Sequence, residues 1–425
     1  MAKYLDIFEN LKTKIENREY KPGEKLPSIR KIADKFSCNK LTVKKAYDKL
    51  KEENYIKQLV GKGSFVKFPD SYKNKGKSLD FSSSYISEKF FPVDKMQQIV
   101  DNLFKIERTN LFAQSNLKGI KNFRSTLSNY YNVGKKNMII ISGAQQGLDL
   151  ISKVFNLKIN KNILFEDPTY SGAVTIFKPE KFVKLENDGP DLNDLKNKIN
   201  KDLKLFYSMP SIHNPTGISY SIEKKLKIAE LSKKHDFYII EDDYLSELLD
   251  KRKKRFIDII PEKTIYIKSL SKITSPGIRL GFMATPDNLI NSFLEKKYTS
   301  DIVSSTFMQL SLNKFIKNGF LDNHINNIKS ILKQRKNQLN NFLNNYDFLE
   351  YNQNFNGINI WVKSKINLDI PAPPWASGIN FSFSKKFKNF FRLSFMSMDD
   401  KSFQDGINYL ESIFSNIKNE DRIIY

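Results

Sequence analysis

Apolar residues recur every four positions near the N-terminus, at Ile7, Leu11 and Ile15. That spacing predicts an amphipathic helix over roughly Lys3 to Arg18. KPGEKLP (Lys21–Pro27) then interrupts it with two prolines and a glycine. SIRKIADKF (Ser28–Phe36) sets Ile29, Ile32, Ala33 and Phe36 on one helical face. After a short turn around Cys38, NKLTVKKAYDKLKEEN (Asn39–Asn54) opens on a good N-cap residue, Asn39. It would bury Val43, Ala46, Tyr47 and Leu50. YIKQLV and SFVKF follow, two short β-like runs joined through Gly61-Lys62-Gly63, and read as a hairpin.

Three helices and a hairpin in this order make a winged helix-turn-helix, expected over residues 1–67. The polar run FPDSYKNKGKSLD (Phe68–Asp80) reads as a linker. From about Asn137 the texture changes. Short apolar runs appear at MIIIS (Met138–Ser142), ILFED (Ile163–Asp167), LKLFYSMP (Leu203–Pro210), FYIIED (Phe237–Asp242), TIYIKS (Thr264–Ser269) and RLGFMA (Arg279–Ala284). Most are separated by helix-like stretches. Continuous apolar strands alternating with helices indicate an α/β architecture, a mainly parallel sheet with helices on both faces. Beyond Asp301 the pattern is mostly helical, with a weaker strand near GINIWV (Gly357–Val362). A second domain over residues 81–425 is therefore expected, with a large lobe from about 105 to 310 and a smaller one from about 311 to 425.

Composition narrows the function classes. Hydrophobic residues make up 40% of the 425-residue chain, enough for a large core. The single cysteine, Cys38, excludes an intrachain disulfide, and the three histidines lack ligand spacing. No apolar run approaches the length of a membrane span. The N-terminus lacks the apolar core of a signal peptide, so a cytoplasmic protein without membrane contact is expected. The net charge is +23. Because lysine is abundant throughout, that total is weak evidence of nucleic-acid binding. Its distribution says more: residues 1–70 hold 17 basic and 10 acidic side chains, about twice the net charge density of the remainder.

In a helix-turn-helix the second helix enters the major groove and its first residues meet the bases. Here those residues are Lys40, Leu41, Thr42 and Lys44. Lysines reach phosphates or guanine edges, and Thr42 reads bases or positions the helix. Arg30, in the preceding helix, and Gly63, in the wing, complete the candidate DNA surface. The stretch from Leu26 to Val66 resembles the N-terminal domain of the GntR family of bacterial regulators. The resemblance rests on Leu26-Pro27-Ser28, Arg30, Ile32-Ala33, Thr42-Val43, Ala46-Tyr47, Leu50 and Gly61 to Val66. It implies a double-stranded operator as partner. Lys40 stands where the family usually has arginine, and lysine cannot form the bidentate fork.

The polar residues of the second domain cluster just past its predicted strands, the edge where open α/β sheets bind ligands. SGAQQG (Ser142–Gly147) gives a strand, a small-residue turn and a helix start suited to a phosphate, through Gly143, Ala144 and Gln145. EDPTY supplies Tyr170, HNPTG supplies Asn214, and EDDY supplies Asp242 and Tyr244. SLSKITSPGIRLG supplies Ser269, Ser271, Lys272 and Arg279. Together they fit pyridoxal 5'-phosphate. Its aldehyde needs a neutral lysine amine, its ring nitrogen a carboxylate, its ring an aromatic platform, and its phosphate a helix start and an arginine.

These motifs resemble fold-type I aminotransferases from about Asp80 onward. The resemblance implies that Lys272 is the Schiff-base lysine, Asp242 the partner of the pyridine nitrogen, and Tyr244 and Asn214 donors to the ring hydroxyl. It implies that Tyr170 stacks on the ring, and that Gly143, Ala144, Gln145, Ser269 and Arg279 hold the phosphate. FRLSF (Phe391–Phe395) resembles the segment whose arginine, here Arg392, grips a substrate or effector carboxylate. A GntR-like reader fused to such a domain resembles the MocR group of regulators. That implies a homodimer, head-to-tail, sensing the cofactor and an amino acid or amine. Near the N-terminal side of Gly119 the family often carries a tyrosine that reaches the partner's phosphate site; this chain offers Phe112 and Gln114. The alternative reading is a working aminotransferase with an accessory DNA-binding domain.

Overall fold

The computed structural model describes residues 3–16, 19–20, 25–53, 55–59, 63–66, 79–157, 159, 161–368, 373–382 and 386–420. The chain divides into two compact units, one of Met1–Ser78 with Asp369–Pro373 and one of Leu79–Leu368 with Pro374–Tyr425.

The first unit holds α1 (Lys3–Glu16), α2 (Ile29–Lys35), α3 (Lys40–Glu52), β1 (Ile56–Leu59) and β2 (Gly63–Val66). Both inner helices start on side-chain caps. Ser28 Oγ accepts from the Lys31 amide, and Asn39 Oδ1 accepts from the Thr42 amide at 2.7 Å. Each cap satisfies a donor that the helix itself leaves unpaired. The residues on the predicted faces form one core, with Ile7, Leu11, Ile32, Ala33, Val43, Ala46, Tyr47 and Leu50 buried against Ile56 and Val66. Ile29 and Phe36 pack at its margin. The Tyr47 hydroxyl donates to the Pro27 carbonyl at 2.6 Å, tying α3 to the turn before α2. The wing strands pair antiparallel, from Ile56 opposite Val66 to Leu59 opposite Gly63. Gly61 and Lys62 of the wing, and residues 68–78 of the predicted linker, lie outside the described residues.

The second unit is built on an eight-stranded sheet. Its strands are β3 (Met138–Ile141), β4 (Ile163–Asp167), β5 (Lys181–Glu186), β6 (Gly189–Pro190), β7 (Leu205–Ser208), β8 (Tyr238–Asp243), β9 (Thr264–Ser269) and β10 (Gly281–Ala284). They lie in the order β3-β10-β9-β8-β7-β4-β5-β6. All six strands expected from apolar runs are present. From β9 across to β5 neighbouring strands are parallel, whereas β10 runs antiparallel to both of its neighbours. β5 was not expected. Its sequence KFVKLE buries Val183 while Lys181, Lys184 and Glu186 stay exposed, so charges break up the apolar run near the sheet's edge.

The remainder is less helical than expected. Helices Thr306–Lys317, Phe320–Leu343 and Asp400–Glu420 accompany a four-stranded antiparallel sheet. It comprises β11 (Leu349–Tyr351), β12 (Asn359–Ser364), β13 (Ala376–Ser377) and β14 (Phe390–Ser394), in the order β11-β12-β14-β13. Only β12 carried a sequence signal. The other three have two to five residues, too short to establish a period. The segment Leu79–Ser87 is anchored to this sheet. The Phe81 amide donates to Pro374 O at 2.8 Å, the Ser394 amide to Phe81 O at 2.7 Å, and the Ser87 amide to Met396 O at 2.8 Å. No helix among the described residues is long and apolar enough to cross a membrane.

Candidate functional site

Lys40 and Lys44 are exposed at the start of α3, and Arg30 is exposed in the first turn of α2. Thr42 is half-buried, and its hydroxyl donates to Asn39 Oδ1 at 2.8 Å. That bond ties the Thr42 side chain to the helix cap. Leu41 is 69% exposed between the two lysine-bearing turns, an apolar side chain set where bases would be met. Gly63 has φ of +111°, and a Cβ there would press on Lys25 Cε at 2.7 Å. Only glycine suits that point of the wing.

In the second unit, the C-terminal ends of β3, β4, β7, β8 and β9 deliver most of the other candidate residues, with Arg279 just ahead of β10 and Arg392 on β14. Asp242 lies near the end of β8, buried. One of its oxygens, Oδ2, accepts from the Tyr207 hydroxyl at 2.8 Å. The other, Oδ1, is buried with no hydrogen-bond partner among the described residues. Burial raises the Asp242 carboxyl to about 6, opposed by the Tyr207 hydrogen bond. Lys272 follows β9, half-buried, and donates from Nζ to the Ser84 carbonyl at 2.8 Å. Burial, with Arg392 and Arg279 nearby, lowers its ammonium to about 8. Such an amine is partly neutral near physiological pH, as attack on an aldehyde requires.

Arg392 is buried on β14. It donates to Asn214 Oδ1 at 2.8 Å and to the Ser82 carbonyl, and its guanidinium sits 4.7 Å from the centre of the Phe381 ring. It makes no ion pair among the described residues. Burial lowers it to about 10. Tyr170 opens the helix Ser171–Phe177, and burial, then the Asp242 charge, raise its phenol. A Cβ on Gly172 would fall 2.4 Å from the Tyr170 ring, so that glycine makes room for it. Tyr244 is buried, and burial pushes its phenol up.

Gly143 takes φ of +91° before the helix Ala144–Val154, which has no side-chain cap. Arg279 donates to the Ser142 carbonyl at 3.1 Å, and a Cβ on Gly143 would lie 3.0 Å from its guanidinium. A bare helix start beside an arginine is an anion site. Ser269 is buried at the end of β9. Ser271 instead bonds the Leu280 backbone on both sides, at 3.1 and 3.2 Å. Gln145 is exposed, while its neighbour Gln146 accepts from the Ser142 amide at 2.7 Å.

Three features escaped sequence reasoning. The Ser82 and Ser84 carbonyls are backbone atoms, which no residue type announces. Tyr207 looked like one more aromatic in an apolar strand. Lys268 faces the opposite side of the sheet from Asp242, in a closed network with Asp243 at 3.0 Å and Glu247 at 2.6 Å. Tyr266 and Ser246 donate to Asp243, and Tyr131 to Glu247, each at 2.6 Å. Asp243 and Glu247 keep the Lys268 ammonium raised against the cost of burial.

The residues present fit pyridoxal phosphate. The unpartnered Asp242 Oδ1 suits a protonated ring nitrogen, Lys272 the aldehyde, and the Gly143–Arg279 corner the phosphate.

The family of class I and II aminotransferases matches residues 89–363, and the gntR family of bacterial regulatory proteins matches residues 3–66. The uncharacterized HTH-type transcriptional regulator YcxD of Bacillus subtilis is 27% identical, with 79% of this chain and 79% of YcxD covered. Its counterpart YdfD from the same organism is 26% identical over 96% of this chain and 95% of its own. The fold of the second unit matches the crystal structure of Pyrococcus horikoshii kynurenine aminotransferase with a TM-score of 0.72, at 23% identity, covering 80% of this chain and 92% of that one. Because the aminotransferase match spans more than half of its length, the chain belongs to the class I and II aminotransferase family, with a gntR-family unit fused ahead of it.

Proposed function

We propose that the protein is a DNA-binding transcriptional regulator of the MocR type, whose aminotransferase-like unit holds pyridoxal 5'-phosphate and senses an amino acid or amine. Its relatives YcxD and YdfD, both named as HTH-type transcriptional regulators, support the regulatory reading. Bound in the site, pyridoxal phosphate would supply an aldehyde for amines and an electron-withdrawing ring. The chain's own groups would do the rest. Lys272 supplies the amine, Asp242 holds the ring proton, and Tyr170 covers the ring. Asn214 and Tyr244 face the ring hydroxyl. Gly143, Ala144, Gln145, Ser269 and Arg279 hold the phosphate, and Arg392 takes a carboxylate. Arg30, Lys40, Thr42, Lys44 and Gly63 face operator DNA. The regulator acts in the cytoplasm as a head-to-tail homodimer, and Phe112, 74% exposed, with exposed Gln114 marks the segment that would meet the partner's phosphate site.

The observation that carries the sensing role is the occupancy of Lys272 and Arg392 by carbonyls of Ser84 and Ser82. Those serines begin just after the predicted linker. A cofactor aldehyde competes with Ser84 for Lys272, and an effector carboxylate competes with Ser82 for Arg392. Ligand binding thus alters the contacts of the segment that continues into the DNA-reading unit.

Operator binding is tested by selecting bound duplexes from random DNA, then comparing wild type with the Arg30→Ala, Lys40→Ala double variant. Loss of binding is expected, because phosphate-bound cations carry salt-dependent affinity. Normal binding by the double variant would assign the groove to another helix. The competing reading, a working aminotransferase, is favoured by the same intact Lys272–Asp242 pair. It predicts sustained turnover with common amino donors and keto acids, where a regulator gives at most residual turnover.

A further inference from the structure

Asp242 has one oxygen held and one bare, and the holder is Tyr207. The strands β4, β7 and β8 are adjacent, with Phe165 opposite Tyr207 and Tyr207 opposite Ile240. That register lets a phenol on β7 reach the carboxylate two residues farther along β8. The Tyr207 ring is wholly buried and stacks on Phe165, centroids 4.6 Å apart and planes 15° from parallel. With its ring clamped, its hydroxyl has a fixed direction. We propose that Tyr207 is a positioning residue for the cofactor: it fixes Asp242 with Oδ1 free to face the ring nitrogen, and it keeps that carboxylate charged. The inference rests on the cofactor reading above and deepens it.

The charge balance around Asp242 shows why a donor is needed. Burial disfavours its ionised form, and Asp243, next along β8, adds like charge. Lys268 from β9 and Lys272 beyond it favour ionisation. The Tyr170 and Tyr244 phenols also feel Asp242, and Glu166 faces Tyr207 from β4. The sum leaves Asp242 at about 6 with the Tyr207 bond made. A hydrogen bond to the charged form lowers a carboxyl pKa, so its loss moves Asp242 toward neutrality. A neutral carboxyl holds a pyridinium proton poorly. Burial pushes the Tyr207 phenol well up, so it remains a donor wherever Asp242 titrates.

The test measures dissociation constants of the cofactor-free full chain by fluorescence between about pH 5 and pH 8, the range spanning the carboxyl's titration. Two probes are used: pyridoxal phosphate, and its analogue with CH in place of the ring nitrogen. Both carry the same phosphate and aldehyde, so only the nitrogen contact differs. Wild type should lose pyridoxal phosphate affinity, relative to the analogue, on acidification through about 6. In Tyr207→Phe that limb should move up by about one pH unit. Affinity for pyridoxal phosphate should fall about twofold near neutrality and by close to tenfold near about pH 5, with analogue affinity unchanged. An unmoved limb, or equal losses for both probes, would overturn the inference and leave Tyr207 a packing residue. If wild type binds neither probe, the cofactor reading itself fails. Site-specific 3,5-difluorotyrosine at 207 is the second variant, close in shape but a stronger donor. It should move the limb down, and an unmoved limb there also overturns the inference.

Discussion

Lys268 and Lys272 lie four residues apart and have opposite electrostatics. Lys268 is buried between two carboxylates and stays charged. Among the described residues Lys272 bonds only a carbonyl, and it is lowered to about 8, chiefly by burial. Borohydride should therefore trap pyridoxal phosphate on Lys272 in wild type and leave no adduct in Lys272→Ala. Lys268→Ala should keep the adduct yet lose about 3–5 kcal/mol of stability, because Asp243 and Glu247 are left buried and unpaired. An adduct mapped by mass spectrometry to Lys268 would reverse these assignments. The pH response follows from the sign of the shift. Lys272 is neutral above its lowered pKa, so the rate of cofactor capture should rise through about pH 8 and level off beyond it. A stopped-flow profile still climbing at about pH 10, the range of an ordinary lysine, would show an unshifted amine. At this scale the sequence was informative where a motif fixed neighbours, as with Lys272, Asp242 and Arg279. It was silent on Ser82, Ser84 and Tyr207, whose parts depend on strands brought together from distant positions.

The elements themselves were legible wherever periodicity was long or a cap was present. Helix α3 shows both, with Asn39 capping the Thr42 amide and Val43, Ala46, Tyr47 and Leu50 buried on one side. Asn39→Ala should cost about 1 kcal/mol of stability in chemical denaturation, the usual worth of an N-cap. Operator affinity should weaken with it, since Asn39 also receives the Thr42 hydroxyl. Unchanged denaturation would mean that the cap adds nothing to this helix. The six apolar strands were equally plain, because burial on both faces demands uninterrupted apolar runs. β5 was hidden by its lysines and glutamate, and β11, β13 and β14 by their brevity. The direction of β10 could not be read either, since an apolar run is the same forwards and backwards.

For the whole molecule, the proposed regulator reads DNA with its first unit and is biased by what occupies the second. Segment Leu79–Ser87 is where these meet in sequence, as it is bonded to Lys272 and Arg392 through its own carbonyls. A ligand alters DNA affinity only through its differential affinity for the DNA-competent state, a coupling of roughly 1–3 kcal/mol, or about 5–150-fold, in most coupled systems. The direct measurement is an operator titration at fixed salt with three preparations: cofactor-free protein, protein loaded with pyridoxal phosphate, and Lys272→Ala given the same cofactor. Loading should shift the wild-type isotherm by at least about fivefold, and Lys272→Ala should stay with the cofactor-free curve. Three superimposable isotherms, unchanged on adding candidate amino compounds, would contradict this coupling.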